Sequence, residues 1–217
     1  IIFISLLLAL FLATVKSAYK ISNYLFSALL ILTAIDVSGF LLDSFIENPS
    51  ILGMFRYMVT FLQLPVFYSY VASVCYSDFK LNPRHLIRLI PFVVANLVLL
   101  PRYYLVDAES KIRFLQDHQN MFELMFNHVL LHIQIFGYLI AVFILLRKTK
   151  KLYLENYAGT SISAYNWLFQ FTVAITIFYS IVLLKNIFKF SDYPNIYEWM
   201  IIGLFLFQLL VITWYLF

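Results

Sequence analysis

The sequence predicts an all-α, polytopic membrane protein with seven transmembrane helices, its N-terminus outside and its C-terminus in the cytoplasm. Three observations predict it. Apolar residues make up 63% of the chain and charged residues only 12%, about half the ~25% charged share of an ordinary soluble domain. Apolar runs recur from end to end, without the short alternating strands that a lipid-facing barrel requires. Lysines and arginines are distributed unevenly among the connections.

The runs give seven spans in order: Ile1–Val15, Ile21–Leu42, Ile51–Cys75, Leu86–Leu100, Met121–Leu146, Tyr165–Leu184 and Ile196–Phe217. Most reach the ~20 residues that cross a hydrocarbon core of ~30 Å. The fourth is the shortest and contains Pro91. The first has no cationic start and no small-residue cleavage site, so it is read as a membrane helix and not as a signal peptide. Nothing between the spans is large enough for a soluble domain, and no internal repeat is visible. The chain is one seven-helix domain, residues 1–217. It begins at Ile1 and stops inside the apolar run "LLVITWYLF", so a cytoplasmic effector domain is expected beyond Phe217.

Orientation follows from the connections. The odd-numbered ones hold nine cations: Lys16, Lys20, Lys80, Arg84, Arg88, Arg147, Lys148, Lys150 and Lys151. The even-numbered ones hold five: Arg102, Lys111, Arg113, Lys185 and Lys189. The positive-inside rule places the odd set in the cytoplasm. Asp43, Glu47, Asp107, Glu109, Asp117, Asp192 and Glu198 then fall outside, and Tyr103, Tyr104, Tyr193, Tyr197 and Trp199 form an outer aromatic belt. The run "RKTKK" is read as a solvated cytoplasmic turn beside anionic lipid, not as a nucleic-acid patch. The single cysteine, Cys75, excludes an internal disulfide. It reads as a small apolar residue near a helix end or as a site of reversible lipidation.

Ionisable residues within spans are costly and invite a functional reading. Asp36 and Arg56 lie at matching depths, roughly 8–9 Å below the outer ends of spans two and three at ~1.5 Å per residue. A structural ion pair is expected, the alternative being that Arg56 snorkels and Asp36 meets a hydroxyl such as Ser38. Pro65, in the middle of span three, removes a backbone hydrogen bond and is a candidate hinge.

Span five is the most polar. At ~100° per residue, Glu123, Asn127, Gln134 and Tyr138 fall within about 60° of one another, with His128 and His132 forming a second ridge. Three readings stand. A metal site is suggested by the i, i+4 histidines, but His85 and His118 lie in loops and no HExxH pattern is present, so no metal ligand set is assigned. A ligand pocket would be lined by Asn127, His128, His132 and Gln134, with Gln63, Asn96, Gln170 and Gln208 as partners from other spans. Interhelical hydrogen bonding without a ligand is the third.

The stretch "LQLPVFYSYVASVCYSDFKLNPRHLIRLIPFVVANLVLLP", with its central proline, tyrosines, short basic loop and "HLIRLIPF", resembles the membrane-embedded N-terminal region of bacterial transmembrane regulators that carry a C-terminal AraC-type helix-turn-helix domain. "NYAGTSISAYNWLFQF" is similar to that family's stretch before span six. The chain departs from the family in Leu64 before Pro65, where a glycine is frequent, and in Arg88, where a histidine is frequent. The resemblance implies a sensor and anchor module in the bacterial inner membrane. It would take a small-molecule or lipid ligand and would meet DNA only through a domain outside this chain, with homodimerisation by analogy to helix-turn-helix readers. It implies neither a cofactor nor an enzymatic activity. Two other classes are weighed against it. An intramembrane metal-dependent hydrolase would need a third intramembrane histidine, and a small transporter would need a second broken helix to match Pro65.

Overall fold

The computed structural model describes residues 2–17, 19–39, 51–76, 78–116, 122–156, 162–189 and 194–216. Among them every regular element is helical and no strand occurs. The elements are α1 (Ile2–Thr14), α2 (Lys20–Val37) and α3 (Ile51–Cys75), then a 3-10 turn (Pro83–Leu89) that runs into α4 (Ile90–Leu99) and a π turn (Leu100–Tyr104). After these come α5 (Ala108–Gln116), α6 (Phe122–Asn156), α7 (Ile162–Lys189) and α8 (Pro194–Leu216). Five stretches among the described residues are long and apolar enough to cross a membrane: Lys20–Val37, Gly53–Cys75, Pro83–Tyr104, Phe122–Lys151 and Tyr165–Phe188. Helix α1 is apolar but shorter, at 13 residues, and α8 is a helix of 23.

Four local features differ from the sequence reading, each for a physical reason. The short fourth run is lengthened at both ends. Asn82 accepts from Arg84 N at 3.1 Å and His85 Nδ1 accepts from Asn82 N at 3.4 Å, so a capping box starts the 3-10 turn. Pro91 falls in the first turn of α4, where its missing N–H costs nothing. Helix α6 does not stop at Leu146 but continues through "RKTKK" to Asn156, because lysine, arginine and leucine are good helix formers. Helix α5 forms within a connection read as loop, with Asp107 at its start and Arg113 Nη2 paired with Glu109 Oε1 at 2.6 Å. Tyr103, expected in an outer aromatic belt, does not present its ring to the surroundings. It is buried, its ring 5.7 Å from Phe114 of α5.

The chain divides into two compact units, Ile1–Tyr138 and Leu139–Phe217. In the first, α3 is the central helix. Met58, Phe61, Leu64, Phe67 and Val71 are all buried, and most of its spanning stretch is covered, unlike those of α2 and α4. Helix α1 lies on α2 through a small-residue contact, with Ser27 Oγ donating to Ala9 O at 2.9 Å. Helix α2 lies on α3 through Ser73 Oγ, 3.0 Å from Ser22 Oγ, and through Phe26 stacked on Tyr70 at 4.9 Å. In the second unit, Val142, Leu146, Leu168 and Thr172 are buried. Phe143 meets Phe169 edge to face at 5.8 Å, and α7 packs along α8.

Candidate functional site

Pro65 lies inside α3 and has no N–H to give to the carbonyl four residues earlier, that of Phe61. In a hydrocarbon interior that carbonyl needs another donor. Gln134 of α6 supplies it: Nε2 donates to Phe61 O at 2.8 Å. One turn further along α6, Tyr138 OH donates to Arg88 O at 3.2 Å, with its ring 5.9 Å from Tyr68. Arg88 Nη1 donates to Ser69 Oγ at 2.7 Å, and its guanidinium lies over the Tyr68 ring at 4.8 Å. Ser69 Oγ in turn donates to Pro65 O at 2.8 Å. A circuit results. Helix α6 holds α3 directly at Phe61, and through Tyr138, Arg88 and Ser69 it holds α3 again at the proline.

The same face of α6 continues toward its N-terminus. Asn127 is fully buried and its Nδ2 donates to Ala95 O at 3.0 Å. Glu123 is buried and its carboxylate meets Arg102 Nη1 at 3.3 Å. All four residues of the stripe therefore bond to another element, and three of them donate to backbone carbonyls, those of Ala95, Phe61 and Arg88. The opposite ends of the two amides, Asn127 Oδ1 and Gln134 Oε1, are buried acceptors without a hydrogen-bond donor.

The histidine pair occupies a different face. His132 Nδ1 lies 2.8 Å from His128 O, and the two rings are 4.5 Å apart. A carbonyl only accepts, so in this contact Nδ1 of His132 carries a proton. Both residues are half-buried. Among the described residues no group of three His, Cys, Asp or Glu side chains could hold a metal ion. His85 caps the 3-10 turn and stacks on Phe79 at 5.4 Å. His118 lies outside the described residues.

The expected partners of the pocket are dispersed. Gln63 is buried and its Nε2 donates to Asp36 Oδ2 at 3.2 Å. Asn96 donates through Nδ2 to Phe92 O at 2.7 Å and accepts from Tyr104 OH at 2.6 Å. Gln170 belongs to the second unit and borders a groove there. The side chain of Gln208 lies outside the described residues. The Asp36–Arg56 reading acquires a third member, since Gln63 bonds the carboxylate while the Arg56 charge acts on it electrostatically. Arg56 is buried, and its guanidinium fills the space above Gly39, where a Cβ would lie 2.5 Å from Nη1.

Gly39, Ser69 and the inward role of Arg88 were missed at the level of sequence. Ser69 had a signal, being four residues after Pro65 at the spacing for a hydroxyl to bond back to a carbonyl. Arg88 was counted only as a loop cation. Compared with family models, curated proteins and solved structures, the chain matches none.

Proposed function

We propose that this chain is the sensor and anchor module of a bacterial transmembrane transcription regulator. It crosses the inner membrane seven times, with its N-terminus outside and its C-terminus in the cytoplasm. A ligand from outside or from the lipid shifts helix packing, and the last span passes the shift to a cytoplasmic DNA-binding domain, which acts as a dimer. The observation that carries the reading is the circuit around Pro65. Helix α3 carries an interior proline whose orphaned carbonyl is held by a bond from another helix; making or releasing that bond would give two packings, and a ligand that binds them unequally would shift the balance. The charge asymmetry of the connections and the resemblance of the "LQLPVFYSYV" to "VLLP" stretch support the same reading.

The test has two steps. The parent reading frame is read past Phe217; a helix-turn-helix domain there supports the proposal, and an immediate stop codon overturns it. A promoter reporter is then measured in cells carrying the full-length protein with Asn127→Ala, His128→Ala or His132→Ala. Altered output at unchanged protein level is expected if these residues line the ligand site, and unchanged output removes them from it.

A further inference from the structure

In the second unit, α7 and α8 leave between them an open-sided groove of about 290 Å³. Its walls are apolar: Val173 and Ile177 on α7 face Phe207 and Val211 on α8, with Phe169 and the amide of Gln170 at one end. Helix α7 starts at Ile162 and α8 ends at Leu216. At ~1.5 Å per residue, Val211 lies roughly 8 Å from the end of α8 and Phe207 roughly 14 Å. The groove therefore occupies the half of the helix pair next to the α6–α7 connection.

That end carries the densest positive charge of the chain, Arg147, Lys148, Lys150 and Lys151. The charge is tied to the groove through a row of rings. Lys150 Nζ lies over the Tyr165 ring at 5.7 Å, within reach of a cation–π contact. Tyr165 stacks on Phe169 at 6.1 Å, and Phe169 opens the groove. Trp167, at the same level, is partly exposed and stacks on Phe171 at 5.2 Å. A cation, a tyrosine and a tryptophan at one depth mark an interface, and an amide one turn deeper can donate to an ester carbonyl.

We infer that the groove holds an acyl chain of an anionic phospholipid of the cytoplasmic leaflet, with Lys150 on the headgroup phosphate and Gln170 at the ester level. This rests on the orientation given under the proposed function, which turns the basic end toward the anionic leaflet. Charge complementarity selects this occupant. A zwitterionic lipid would fill the groove equally and offers the same phosphate, but its headgroup cation offsets that charge, so it gains less from Lys150.

The test is native mass spectrometry of the full chain in detergent, titrated with phosphatidylglycerol and phosphatidylcholine of identical chains. Phosphatidylglycerol adducts are expected to dominate. Lys150→Gln, on an exposed side chain, should weaken them about fivefold, the effect of one lysine on an anionic lipid, and weaken phosphatidylcholine clearly less. Ala174→Phe, which fills the groove, should remove them, with thermal unfolding showing that the fold is kept. Equal retention of both lipids by the wild type, or undiminished phosphatidylglycerol binding in either folded variant, overturns the inference. The readout is mass and not reporter output, so its failure leaves the signalling proposal to its own test.

Discussion

Gln134 is placed so that its worth depends on a residue of another helix. Its Nε2 stands in for the N–H that Pro65 lacks. Gln134→Met keeps the shape and removes the donor, leaving Phe61 O buried without one. A loss of about 1–2 kcal/mol is expected in unfolding followed in detergent. In a Pro65→Ala background residue 65 again has an N–H for that carbonyl, and the cost of Gln134→Met should fall to near zero. A double-mutant cycle measures this coupling directly, and additive effects would show that Gln134 has no part in the proline break. Gly39 supports a second prediction. A methyl there enters the space of the Arg56 guanidinium, the far end of a flexible side chain that has to swing aside, so Gly39→Ala should cost about 1 kcal/mol, the low end for overpacking. The same methyl should cost much less beside Arg56→Ala, where the space is open. Neither dependence is visible in the sequence, because each joins residues from two helices whose register periodicity does not set.

At the scale of elements, the apolar runs marked where the helices are, while their ends followed from other causes. The sequence reading stopped span five at Leu146, where hydrophobicity ends, although helix formation continues through lysine and arginine to Asn156. Hydropathy reports solvent preference, not backbone conformation. Helix α5 was missed because nine residues with Glu109, Lys111 and Arg113 look like a solvated loop, yet its capping was on the page. Asp107 Oδ1 accepts from Ser110 Oγ at 2.6 Å, and Lys111 N donates to Asp107 O. The Ser110 hydroxyl holds the Asp107 carboxyl below its ordinary range. A carboxyl with a depressed folded-state pKa contributes stability above its unfolded value, and that contribution is lost as pH falls through the folded one. Amide protection of residues 108–116, corrected for intrinsic exchange, should therefore hold at neutral pH. It should fall on acidification below the usual aspartate range. In Asp107→Asn, which keeps an acceptor but does not titrate, the same acidification should change it little. An identical acid response in both proteins would place the titrating group elsewhere.

For the whole molecule the question is which face each connection meets, and here the contacts and the charge count bear on each other. The stripe of α6 runs from Glu123, paired with Arg102, through Asn127 and Gln134 to Tyr138, and the helix ends in its basic run. If α6 spans the bilayer, these ends lie on opposite sides, and 35 residues at ~1.5 Å each give about 52 Å, well beyond a core of ~30 Å. Part of the excess is taken up by tilt or shared between the ends, and four cations in five residues mark an end that reaches water. The prediction is made with Cys75→Ser as background and single cysteines at Ser110, in α5, and at Lys148, in the basic run. A membrane-impermeant maleimide added to intact spheroplasts should label position 110 fully. Position 148 should be labelled only after permeabilisation, although it lies in a helix and not in a turn. The reverse pattern would invert the protein and put the basic end of α6 outside, taking with it the cytoplasmic output and the anionic-leaflet lipid site. Labelling of both positions in intact spheroplasts would mean that α6 does not span, and the circuit around Pro65 would then lie outside hydrocarbon. Phe61 is buried within the protein itself, so the coupling between Gln134 and Pro65 should persist even then. The labelling therefore tests the topology and the double-mutant cycle tests the packing around Pro65, and the failure of one leaves the other standing.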